Sequence, residues 1–230
     1  MSTSQVKPLD LTPLDLSGWY TDESGVTVLE VVTELNGPVS SLVSRLRELI
    51  SEKVPALANL IEHDRATEVS YSDRYLKSPW SLLVAGGFLS LFKNSGLRHL
   101  EIATLRPQPT TQVSNSIKHD WGRSEDMMEL VKAWLQTMVS VEPQVRMVEK
   151  SYDLQHSRVI SVSWASGRKT KLILDQGVGY WQPKAAYRDQ LYFDFSGSLE
   201  AQANSMVEQY KITNMTNGGT WPTFLSIVSD

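Results

Sequence analysis

Apolar positions along this chain change period repeatedly. Spacings of two, which put side chains on alternate faces of a strand, give way to spacings of three and four, which build one helical face. Val26 to Val32, V-T-V-L-E-V-V, is β-branched and stops at Asn36-Gly37-Pro38, so it reads as a buried strand and a turn. Leu42, Val43, Leu46, Leu49 and Ile50 then share a helical face behind a cap at Ser40 or Ser41. A second helical piece, Ala56 to Glu62, follows Pro55, and Thr67 to Tyr71 alternates as a short strand. Ser78-Pro79 is a cap with proline at the first helical position. From Trp80 to Phe92 the pattern is apolar nearly all round, which predicts a helix buried on more than one side, stopped at Asn94-Ser95-Gly96.

Leu97 to Leu105 alternates as a strand, and 107–123 is a polar loop with prolines. Ser124-Glu125-Asp126 opens a helix whose apolar face carries Met127, Met128, Leu130, Val131, Trp134, Leu135 and Met138. Gln144 to Glu149 is a further strand. Val159–Trp164 and Thr170–Leu174 make a hairpin around Ala165-Ser166-Gly167-Arg168. Gln190 to Phe195 is a short aromatic strand, Ser198 to Lys211 a helix, and Asn214 to Asp230 reads as irregular. Strands alternating with helices predict an α/β fold: a mixed, mostly parallel sheet with helices on both faces and a late antiparallel hairpin. Its bounds are an extended arm at 1–25, one domain at 26–212 and a tail at 213–230. The arm holds the tandem Pro8-Leu9-Asp10-Leu11 and Pro13-Leu14-Asp15-Leu16, either a strand lying on the surface or a docking arm for a partner.

Composition narrows the chemistry. The chain has 230 residues, enough for one sizeable domain, and no cysteine. Disulfides, thiolate catalysis and zinc–cysteine sites are therefore excluded. A net charge of −4 argues against bulk wrapping of nucleic acid and leaves room for a local basic patch. There is no membrane-length apolar run and no secretory leader, so the expectation is a cytoplasmic protein without a transmembrane segment. No histidine pair has ligand spacing, and the glycine-rich nucleotide loops and the hydrolase elbow are absent; no metal or cofactor is expected.

Candidate chemistry gathers at two places. His156 stands two residues before Arg158 at the mouth of the hairpin, with Lys169 and Lys171 on the return strand and a turn at Gly177-Val178-Gly179 after it. Imidazole can attack phosphorus or shuttle a proton, and cations can hold the oxygens. The same residues also suit an ordinary hairpin with a polar edge. The second place is Ser72-Asp73-Arg74-Tyr75-Leu76-Lys77-Ser78-Pro79, where a strand end meets a helix start. Such corners bind ligands in open α/β sheets, although a capped turn with surface charges has the same composition.

The D-x-Y-L at Asp73, Tyr75 and Leu76, the H-S-R at His156 and Arg158, Lys171, and the turn at Gly177 and Tyr180 together resemble a phospholipase-D-like family. That family includes the C-terminal domain of MIT-domain proteins and modules attached to bacterial anti-phage helicases. The resemblance runs over roughly residues 26–210. It departs from the catalytic H-x-K-x4-D pattern at Arg158, where lysine belongs, and at Ser163, where aspartate belongs. What it implies is a non-catalytic subunit that binds DNA, RNA or a protein partner within a larger assembly, such as one containing a helicase and serving anti-phage defence. Arg158, Lys169, Lys171, Asp73, Arg74 and Lys77 would then make a phosphate-binding rim. The alternative is a metal-independent phosphodiesterase or nuclease, active as a homodimer, with His156 as nucleophile. Phosphoinositide binding is a third implication, and the net charge of −4 weakens it.

Overall fold

The computed structural model describes residues 25–76, 78–106, 124–154, 158–184, 197–219 and 221–229. Most of the N-terminal arm, the polar loop 107–123, His156, Lys77 and the aromatic strand expected at 190–195 lie outside these residues. The described strands are β1 (Val26–Val31), β2 (Gly37–Pro38), β3 (Ala66–Ser72), β4 (His99–Leu105), β5 (Gln144–Val148), β6 (Arg158–Trp164), β7 (Lys169–Leu174), β8 (Trp181–Pro183), β9 (Asn214–Asn217) and β10 (Thr223–Ser229). The described helices are α1 (Leu42–Lys53), α2 (Pro55–His63), α3 (Pro79–Leu89), α4 (Ser124–Val139) and α5 (Leu199–Ile212).

Seven strands form the main sheet in the order β1-β10-β7-β6-β3-β4-β5. The β3–β4 and β4–β5 pairs are parallel, and the other four pairs are antiparallel. Two successive antiparallel steps restore direction, so β1, β7, β3, β4 and β5 all point one way and only β10 and β6 oppose them. The fold is thus the mixed α/β class that alternation predicts. A small antiparallel sheet, β2-β9-β8, stands beside it.

Three expectations change. β1 is a strand of alternating exposure, not a buried one, and among the described residues it lies at the sheet edge because it pairs with β10 alone. The segment 213–230 holds β9 and β10, and Thr223, Leu225 and Ile227 of β10 point into the core. Among the described residues the helices gather on one face of the sheet. β3-α3-β4-α4-β5 advances through adjacent strands in one direction, so both right-handed crossovers return on the same side. The inward face carries Val69, Tyr71, Ile102, Ile160, Val162, Leu172, Leu174, Leu225 and Ile227. The outward face carries half-exposed Ser70, Ser72, Ser161, Ser163 and Ser226, with the exposed Lys169 and Lys171.

Helix α3 is the centre of the helical layer, and every one of its residues is buried. Its start is a reciprocal cap: Ser81 N–H donates to Ser78 Oγ and Ser78 N–H donates to Ser81 Oγ, both at 3.1 Å. Gly86 lets α4 approach, since a Cβ there would lie 2.6 Å from Trp134 Nε1. The Trp134 indole then donates to the Leu82 carbonyl at 3.0 Å. Trp80 donates to the Trp181 carbonyl at 2.8 Å, which ties the start of α3 to β8 and so to the turn that follows β7.

Candidate polar site at the strand ends

The end of β3, the start of β6 and the end of β7 meet at one edge of the sheet, because β6 runs antiparallel to both neighbours. Ser72 faces Val159 and Arg158 faces Leu174 across these pairs. Tyr71 and Asp73 are two residues apart on extended chain and therefore share the inward side. Arg158 shares that side too, by parity with the buried Ile160, Val162 and Trp164. The two expected clusters of chemistry thus meet at Asp73 and Arg158.

Asp73 is 1% exposed. Its Oδ2 accepts from the Tyr71 hydroxyl at 2.7 Å, and its Oδ1 accepts from the Tyr75 N–H at 2.7 Å. Arg158 Nε lies 3.8 Å from Oδ1, an ion pair too long for a hydrogen bond. Burial pushes the Asp73 carboxyl above the usual carboxylate range, while the Tyr71 hydroxyl, the Tyr75 N–H and the Arg158 charge hold part of that rise back. Burial, and then the Asp73 charge, raise the Tyr71 phenol as well. The carboxylate is a buried acceptor with donors fixed around it, which is how a charge is tolerated in an interior.

The Arg158 guanidinium is held from three directions. Nη1 donates to the Asp175 carbonyl, the group lies over the Tyr75 ring at 4.8 Å from its centroid, and Asp73 lies beneath. The next turn closes over it at Gly177, whose φ of 66° suits glycine and where any Cβ would collide with Arg158 Cδ. Asp175 fixes that turn to β10: its Oδ1 accepts from Gln176 N–H at 2.6 Å, from Phe224 N–H at 3.0 Å and from the Thr223 hydroxyl. Arg74 turns away from the cluster and donates through Nε to the Leu154 carbonyl at 2.8 Å.

The lysines stand elsewhere. Lys169 and Lys171 alternate with the buried Thr170 and Leu172, so they occupy the outward face while Arg158 occupies the inward one. Lys171 pairs with Ser161, three residues along β6 from Arg158, or roughly 10 Å of strand. The structure therefore brings Asp73 and Arg158 together and leaves Arg74, Lys169 and Lys171 outside that cluster. Among the described residues no group of three or more acidic or histidine side chains is placed to hold a metal ion.

Two participants were not among the expected site residues. Tyr71 is two residues from Asp73 on a strand, and that parity was its signal. Asp175 precedes a Gln-Gly turn, the position from which an aspartate bonds its own following backbone.

The family model described as DEAD/DEAH box helicase YjiV, C-terminal domain, matches residues 25–229 of this chain. No curated protein matches it. No helix among the described residues is long and apolar enough to cross a membrane.

Proposed function

We infer that this chain, which belongs to that family of helicase C-terminal domains, serves a DEAD/DEAH-box motor as a non-catalytic subunit that binds nucleic acid. The observation that carries this reading is the division of the cations between the two sheet faces. Arg158 is engaged by Asp73, the Asp175 carbonyl and the Tyr75 ring, so it acts as a structural clamp and leaves phosphate binding to other groups. Lys169 and Lys171 are exposed, one strand pleat apart, on a face whose neighbouring positions are Ser163 and Ser161. Ammonium groups beside hydroxyl donors suit a phosphate backbone, which binds by charge and without a defined sequence. The surrounding assembly is proposed to be of the multi-protein anti-phage kind that the phospholipase-D-like resemblance implies.

The test is a mobility-shift titration of single- and double-stranded oligonucleotides at several salt concentrations. We expect dissociation constants within about 10⁻⁶ to 10⁻⁴ M at physiological salt, weakening as salt rises. Lys169→Ala and Lys171→Ala should each lower the salt slope by about one. Absence of any salt-dependent shift overturns the reading. Incubation in EDTA should leave the strand intact, and cleavage that is lost in His156→Ala would overturn the non-catalytic part.

A further inference from the structure

The turn that closes over Arg158 has a second side. Gln176, Gly179, Tyr180, Gln182, Gly218, Gly219 and Trp221 line a shallow cavity of about 210 Å³ there. Trp221 stands at its rim with 77% of its surface exposed. A singly exposed apolar residue is ordinary and needs no explanation. Trp221 differs in two respects. Its backbone is fixed, because the hydroxyl of the buried Tyr180 donates to the Trp221 carbonyl at 2.6 Å. It also borders a concavity, whereas the comparably exposed Tyr152 already has Lys150 over its ring at 5.5 Å.

The lining has a definite chemistry. None of its side chains carries a charge. Gln182 donates through Nε2 to the Gly179 carbonyl at 2.7 Å, and Gln176 donates through Nε2 to the Pro222 carbonyl at 3.3 Å. A carboxamide has a second N–H and an oxygen acceptor beyond such a bond. Gly218 packs its backbone against the Tyr180 carbonyl so closely that a Cβ would collide, which keeps this wall of the cavity low. A planar face beside neutral donors and acceptors fits a flat, uncharged, hydrogen-bonding group, and it does not fit a phosphate, which needs cations or converging N–H groups.

We propose that the Trp221 corner is a stacking site for one unpaired nucleobase of a single strand. The Trp221 indole lies against the base, and the Gln176 and Gln182 amides meet its edge. This rests on the nucleic-acid-binding reading above and adds the substrate form: single-stranded, and gripped by its bases as well as its backbone. Stacking of this kind tolerates any sequence, because every base has a π face. With its backbone already anchored, only the ring's own rotamer has to be ordered on binding, which favours affinity.

The experiment compares a short oligothymidine with an abasic strand of equal length, by fluorescence anisotropy on the full chain. The wild type should bind the oligothymidine about 5- to 100-fold more tightly than the abasic strand. Trp221→Ala should erase that difference, leave abasic binding unchanged and keep the wild-type unfolding midpoint. Trp221→Phe should retain part of the difference. Equal binding of the two strands by the wild type, or full discrimination by Trp221→Ala, overturns the stacking site while leaving backbone binding intact. A wild type that binds neither strand overturns the nucleic-acid reading, and the stacking site with it.

Discussion

The Asp73–Arg158 cluster and the Trp221 corner lie on opposite sides of one turn, residues 175–180, and are built in opposite ways. On one side a buried carboxylate and a half-buried guanidinium are tied to each other and to the backbone. On the other a large apolar ring is held out in solvent beside neutral amides. Charge draws attention in a sequence, yet here the charged side has its hydrogen-bonding groups turned inward. The apolar side has an unexplained surface. Buried polar groups fix a fold when their partners are in place. An aromatic held in water by a rigid backbone has surface left for a partner.

The sharpest way to break this contrast is Arg158→Ala. It strands the Asp73 carboxylate in an apolar setting, and removal of one partner of a buried pair costs about 3–5 kcal/mol. Urea unfolding should show a loss in that range, and a loss below about 1 kcal/mol would mean that Arg158 is a solvated surface cation. Tyr71→Phe is next: Asp73 Oδ2 loses its phenolic donor, and the midpoint should fall by about 1–3 kcal/mol of stability.

A third test uses pH. The folded-state affinity of Asp73 for a proton exceeds that of the unfolded chain, so the native state binds the extra proton. The stability that this group contributes is therefore present below the ordinary carboxylate range and is lost as pH rises through its elevated folded value. Asp73→Asn removes this titration. The stability of the wild type relative to the variant should decline as pH rises above the ordinary carboxylate range, measured as the difference in urea midpoints. A difference that grows over that interval would reverse the assignment. The smallest effect is expected on the other side of the turn, where Trp221→Ala should move stability by no more than about 0.5 kcal/mol.

Local signals carried much of the fold. Ser78-Pro79 followed by a nearly all-apolar run marked α3, its cap and its burial on more than one side. Gly167 in Ser-Gly-Arg marked the β6–β7 hairpin, where its φ of 87° is what the turn requires. Pairing between distant segments was not legible. β1 looks buried as a string of valines, and only its single neighbour makes it an edge. β10 has the period of two, with Thr223, Leu225 and Ile227 inward, but the Asn-Gly-Gly-Thr composition before it suggested a loop. β2 and β8 are too short to leave a periodic trace.

The candidate site divides in the same manner. The meeting of Asp73 with Arg158 follows from two strand ends at one corner, and the sequence placed both there. The separation of Arg158 from Lys169 and Lys171 follows from pleat parity across the hairpin, a count that the turn length already contained. Trp221 escaped notice because exposure depends on what the rest of the chain leaves uncovered.

β10 has one more implication. It lies between β1 and β7, and among the described residues β1 touches the sheet through β10 alone. A chain emerging from the ribosome must hold its first strand unpaired until the residues from Thr223 onward arrive. Until then β7 offers an open backbone edge to any passing extended segment. Assembly of the sheet is thus a late, long-range ring closure, slow by nature, and the interval before it is when this protein is most exposed to wrong partners.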